Sequence, residues 1–196
     1  MVGGVGRPRA FDDDEVLGRA LSLFWRKGFS ATSVQDLVDE TGLSRASLYS
    51  SFGNKEDLLA RVLERYQARM APAGRALAEA ASVRAGLRQF FERWADVACP
   101  ASGPKGCLLM QTANEGDPNL AWVEELQRAS AAAIDQAFTA AIKRGKRSGE
   151  LHRDLDVRAT VEFLDLLTQG LAAKARAGAT RKSLLSAVET GLAALG

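Results

Sequence analysis

Residues 33–52, SVQDLVDETGLSRASLYSSF, constrain the fold more than any other stretch, because they prescribe two short helices joined by one sharp turn. Val34, Leu37, Val38 and Thr41 recur at helical spacing on one face of the first segment. Gly42 stands where the chain must reverse, a place for the residue that takes positive φ without a Cβ clash. Leu43 follows as an apolar plug, and Ser44 is placed to N-cap a second helix. That helix turns Leu48 inward and presents Arg45, Ser47, Tyr49 and Ser50 outward. In a helix-turn-helix of this layout the second helix enters the major groove of DNA.

The flanks sharpen the pattern. Upstream, acidic Asp12 to Glu15 open a helix with an apolar face of Val16, Ala20, Leu21, Phe24 and Trp25. Arg26 and Lys27 close it, and Gly28 stops it. Thr32 and Ser33 begin the next helix, with Asp36 three residues after Ser33 as a variant capping box. Downstream, Phe52 is an anchor, Gly53 a turn, Asn54 an N-cap and Lys55 the start of a long helix.

Residues 11–63 closely resemble the DNA-binding domain of the TetR family of bacterial transcriptional regulators. The resemblance is carried by Phe24, Gly28, Thr32, Ser33, Leu37, Gly42, Leu43, Leu48, Tyr49, Phe52, Lys55, Leu58 and Leu59. Ser51 and Val38 depart from the family's usual residues, and neither removes a turn, a cap or an anchor. The resemblance implies that Thr32, Ser33, Tyr49 and Lys55 hold phosphates while Arg45, Ser47 and Ser50 face the groove, and the N-cap Ser44 is a further DNA-binding candidate. Arg45 is the candidate for a bidentate contact with guanine. Arg7 and Arg9, in the glycine-rich arm VGGVGRPRAF, are candidates for a minor-groove contact.

Net charge is only +2, and residues 1–69 hold ten basic and ten acidic residues, so global basicity does not argue for nucleic acid. Distribution must do so: the acids Asp12 to Asp14, Asp39 and Glu40 are expected to lie away from phosphate. The chain lacks an apolar secretory leader and any apolar run long enough to span a bilayer, so a cytoplasmic protein with no membrane partner is expected. Two cysteines and one histidine are too few for a typical metal site, and no glycine-rich phosphate loop occurs; no metal, cofactor or catalytic residue is expected.

Strand-like alternation is almost absent, and the expected fold is all-α with about nine helices. It divides into an arm over 1–10, a three-helix DNA-binding domain over 11–55, and an effector-binding and dimerisation domain over 56–196. The long helix from Asn54 should bend or break near Pro72 and Gly74. Further helices are expected over 83–98, 119–146, 157–177 and 181–195, with a short one in CLLMQTANE. The last two helices resemble the dimerising pair of TetR regulators, which implies a homodimer reading two half-sites of a near-palindromic operator. Val161, Leu164, Thr168, Leu171, Ala175, Leu184, Val188 and Leu192 are the dimerisation candidates.

Phe91, Trp94, Cys107, Met110, Trp122, Phe138 and Phe163, with polar Gln111 and Asn114, are candidates to line a small-molecule pocket, although a bundle needs many large apolar residues simply for packing. Cys107 follows Lys105 and Gly106 at a helix start, a setting that favours thiolate. Ligand-responsive repression is the expected function. Redox or electrophile sensing through Cys107 and an architectural DNA binder without effector are the alternatives. An enzyme built on His152 with Asp154 or Glu150 is disfavoured, since that trio sits in a charged turn without a nucleophile motif.

Overall fold

The computed structural model describes residues 12–195, so Arg7 and Arg9 lie outside the described residues. Helix α1 (Asp13–Lys27) begins where the Asp12 side chain accepts from the Asp14 amide. Asp13, Asp14 and Glu15 sit at its positive end and Arg26 and Lys27 at its negative end, both favourable to the helix dipole. Helix α2 (Val34–Thr41) starts at a complete capping box between Ser33 and Asp36 and ends at Gly42, whose φ of 74° is left-handed. Helix α3 (Arg45–Phe52) is capped by Ser44, and α4 (Lys55–Glu79) by the reciprocal pair Asn54 and Asp57.

Helix α4 passes through Pro72 without the expected break. Proline removes one backbone hydrogen bond there. Tyr66 on one side and Ala73, Ala76 and Leu77 on the other are buried, and their packing keeps both halves in one helix. The body continues through α5 (Val83–Ala98), α6 (Leu108–Ala113), a 3-10 turn at Pro118–Leu120, α7 (Ala121–Ser148), α8 (Val157–Arg176) and α9 (Arg181–Ala193). Every regular element among the described residues is helical.

Two apolar clusters organise these helices. The first gathers Leu21, Phe24 and Trp25 of α1, Leu37 of α2, Leu48 and Phe52 of α3, and Leu58, Leu59 and Leu63 of α4. It also takes in Leu108 and Leu109 of α6 and Leu120 and Val123 at the start of α7. The N-terminal head is therefore completed by side chains from the body. The second cluster joins the C-terminal half of α4 to α5, α7, α8 and α9.

Candidate nucleic-acid interface and effector cavity

The outer face of α3 is built by what its inner face buries. Leu48 and Phe52 are buried, four residues apart, and anchor the helix on α1 and α4. That rotation leaves Arg45 and Ser50 exposed and Ser47 and Tyr49 half-exposed. Ser44 Oγ accepts from the Ser47 amide at 3.1 Å and donates to Ser47 Oγ at 2.9 Å. The Arg45 guanidinium lies 5.5 Å from the centre of the Tyr49 ring, so arginine and tyrosine present one joined surface.

Ser33 is exposed at the start of α2, with its amide and hydroxyl both donating to Asp36 at 2.7 Å. Lys27 donates to the same carboxylate at 2.5 Å and is the main cause of Asp36 being held far below the usual carboxylate range. Thr32 is placed otherwise. It is 1% exposed and its hydroxyl donates to the Gly28 carbonyl at 2.5 Å, so the expected phosphate hydroxyl is corrected to a pin within the turn. Lys55 also points partly inward: Nζ donates to the Thr32 carbonyl at 2.7 Å and lies 4.1 Å from the Phe29 ring centre. Burial lowers its pKa.

The head's acids are answered locally. Glu40 pairs with Arg26 at 2.9 Å, Asp14 contacts Arg65, and Asp39 accepts from Gln35 at 2.8 Å. The two arginine pairs offset the charges of Glu40 and Asp14 and so reduce the repulsion a phosphate backbone would meet from them.

In the body, α4 to α8 line a half-open cavity of ≈ 330 Å³. Of the residues singled out from the sequence, Trp94, Cys107 and Met110 line it, joined by Tyr66, Gln67, Met70, Phe90, Ser130, Ile134, Asp165, Thr168 and Gln169. Six expected lining residues lie elsewhere. Phe91 and Phe138 are 0% exposed and stack in the second core cluster with ring centres 6.2 Å apart. Gln111 has a buried Oε1 with no hydrogen-bond partner, Asn114 is exposed, and neither lines the cavity. Trp122 and Phe163 are 37% and 38% exposed on the outside of α7 and α8. Aromatic character alone did not separate Phe90 from Phe91, which adjacent helix positions turn to different surroundings. Burial first, and then neighbouring Cys107, push the pKa of Tyr66 well above normal, and both side chains line the cavity.

The cavity wall continues into the head. Helix α6, which brings Leu109 and Met110 to the cavity, ends just before Glu115. The Glu115 carboxylate accepts from the amides of Phe29 and Ser30 at 2.8 and 2.7 Å, and Ser30 Oγ donates to Asp117 at 3.1 Å. Gly28 permits this approach: its φ is +89°, and a Cβ there would stand 3.3 Å from the carboxylate. On α8, Arg176 donates to the Trp25 carbonyl at 2.7 Å.

The eight expected dimerisation residues of α8 and α9 are all buried within their own chain, from 0% exposed for Leu164 and Ala175 to 9% for Val161. They pack the second core cluster, apart from Thr168, which turns to the cavity. The outward face of α8 instead carries Phe163, Leu166, Gly170 and Ala173 at spacings of three and four, with Leu166 58% exposed.

Fold and site together define a helix-turn-helix DNA-binding transcriptional regulator whose reading head is joined to a helical body holding a cavity. Residues 16–62 match the model for bacterial regulatory proteins of the tetR family, and residues 83–190 match the tetracyclin repressor-like C-terminal domain. The chain belongs to the TetR family. It is 32% identical to the HTH-type transcriptional repressor ComR of Escherichia coli (strain K12), over 95% of this chain and 90% of ComR. It is 30% identical to the HTH-type transcriptional regulator YezE of Bacillus subtilis (strain 168), over 97% of this chain and 100% of that protein. A solved structure of a cysteine mutant of the TetR family regulator CifR, complexed with 26 bp double-strand operator DNA, superposes with a TM-score of 0.86. The two are 30% identical, covering 97% of this chain and 100% of that one. The family consists of regulators, not enzymes, and the exposed His152–Asp154 pair is a surface turn. Among the described residues no helix is long and apolar enough to cross a membrane, and no three ligating side chains gather for a metal.

Proposed function

We propose that the chain is a ligand-responsive repressor, a cytoplasmic homodimer that binds a near-palindromic operator and leaves it when a small molecule fills the body cavity. The observation that carries the proposal is α3, whose Ser44 cap and buried Leu48 and Phe52 turn Arg45, Ser47, Tyr49 and Ser50 outward as one surface. Ser33 and the exposed edge of Tyr49 are the phosphate contacts in this scheme, with Lys55 supporting the turn. Repression is supported by relatives named repressors, ComR among them. The cytoplasmic assignment follows from the need to meet DNA.

Two heads are required to read two half-sites, and the outward face of α8 around Phe163 and Leu166 is the surface on which the partner packs. The cavity and the head share α6, so an effector displacing Leu109 or Met110 shifts Glu115 and the turn it holds. The effector must bind the released state better than the DNA-bound state, with a coupling of about 1–3 kcal/mol. A functional division at residue 55 separates the reading surface from the body, while α4 runs on as the lever between them.

Cys107 supports a second reading. Its half-buried thiol stands at the cavity wall beside Tyr66, where an electrophile or oxidant entering the cavity would meet it. Cys99 is buried elsewhere, its Sγ 3.4 Å from the Ala179 carbonyl.

Selection of bound sequences from a random DNA pool tests the proposal. A near-palindromic site is the expected product, bound by a dimer and released by effectors found against it. A site that no small molecule ever releases would favour an architectural role, and failure to enrich any site under reducing, low-salt conditions would overturn sequence-specific binding.

A further inference from the structure

The cavity carries a charge asymmetry within its largely apolar surface. Among the described residues its lining includes the carboxylate of Asp165 and no lysine, arginine or histidine. Asp165 is half-buried on α8, and its Oδ2 accepts from exposed Gln169 Nε2 at 2.6 Å, one turn along the helix. On neighbouring α7, next to the lining residue Ile134, Asp135 has a buried Oδ1 without a hydrogen-bond partner. Burial first, and then the charges of Asp165 and Glu162, raise the Asp135 pKa, which marks the surroundings of Asp165 as acidic, while Asp135 itself faces a neighbouring hollow with Lys143, Arg158 and Glu162. Phe90 and Trp94 add aromatic surface to the same space.

An anionic ligand entering here would lose part of its water and gain no cation from the lining in exchange, beside the Asp165 carboxylate. A cation on a flat apolar body would meet a carboxylate and aromatic rings together, two attractions that strengthen as water leaves. We infer, resting on the effector site proposed above, that the cavity selects organic monocations, a protonated amine or quaternary ammonium carried on a compact apolar skeleton, and rejects carboxylates of the same size. Asp165 is the specificity-determining residue.

Three probes that differ only in one group test this on the full-length protein by titration calorimetry: 2-naphthylmethylamine, 2-naphthalenemethanol and 2-naphthoate. Each is small enough for a space of ≈ 330 Å³. The expected order is amine, then alcohol, then carboxylate, with the amine bound about tenfold more tightly than the alcohol. Asp165→Asn should bring amine and alcohol to within about twofold of each other. Ala131→Trp, which fills the cavity, should abolish all binding, and circular dichroism would verify that both variants fold. Equal binding of amine and alcohol, tighter binding of naphthoate, or an amine preference that survives Asp165→Asn would overturn the charge selectivity and leave the cavity as the site. Binding unaffected by Ala131→Trp, or no binding by any probe, would overturn the cavity as effector site and the selectivity with it.

Discussion

The Glu115 carboxylate lies 2.8 Å from the Phe29 amide nitrogen, a contact across 86 residues that ties the loop after α6 to the turn after α1. The same carboxylate takes the Ser30 amide. These bonds span the junction between cavity and head, and each links a charged acceptor to a backbone donor, the stronger class of hydrogen bond.

Glu115→Ala should therefore lower unfolding stability by about 1–3 kcal/mol and uncouple the head from the cavity. Amide resonances of Phe29 and Ser30 would shift, and operator release by a cavity ligand would weaken. Unmoved resonances would remove Glu115 from the pathway.

Thr32 and Ser33 adjoin in sequence yet should respond in opposite ways. Thr32→Val keeps the buried shape and loses the bond to Gly28, so stability should fall by about 1 kcal/mol with operator affinity of the folded protein nearly unchanged. Ser33→Ala removes an exposed cap and should cost about 0.5–2 kcal/mol of stability together with operator affinity. Denaturant titration beside operator-binding isotherms separates the two. A large affinity loss in Thr32→Val at full folding would restore its hydroxyl as a phosphate contact.

Arg45→Ala should relax base preference at one position of each half-site by about 1–3 kcal/mol, while Tyr49→Phe should weaken all sites alike. Competition with operators changed one base pair at a time would show a flat profile at that position for the first variant. A uniform loss for Arg45→Ala would make it a phosphate ligand instead.

Leu166→Lys should produce a folded monomer, weakening dimerisation by about a hundredfold or more, near 3 kcal/mol. Leu171→Lys, five residues onward and buried, should instead unfold the body, since an unpaired charge would enter the core. Sedimentation velocity and circular dichroism distinguish these outcomes, and a Leu166→Lys dimer would place the interface elsewhere.

Cys107→Ser should leave operator binding intact and abolish release by alkylating agents if the cavity thiol is a sensor. Cys99→Ser should retain that release, and mass mapping with iodoacetamide should find Cys107 modified before buried Cys99. Release that persists in Cys107→Ser would dismiss the sensor.

Local chemistry determined what could be read from the sequence alone. Ser33 with Asp36 and Asn54 with Asp57 satisfy helix N-termini across three residues of chain, and Gly42 turns on its own backbone, so these signals need no distant partner. The head, the order of helices and the outward set on α3 followed from them. Tertiary structure decided which face of an already recognised helix is inside. Helix α8 is apolar on two sides: Leu164 and Leu171 went to the core because α5, α7 and α9 complete that cluster, leaving Phe163 and Leu166 outside. Phe90 rather than Phe91 reached the cavity for the same reason, and Glu115 found Phe29 only because α6 packs against α1. Such choices depend on neighbours far along the chain, whose packing helical periodicity does not encode.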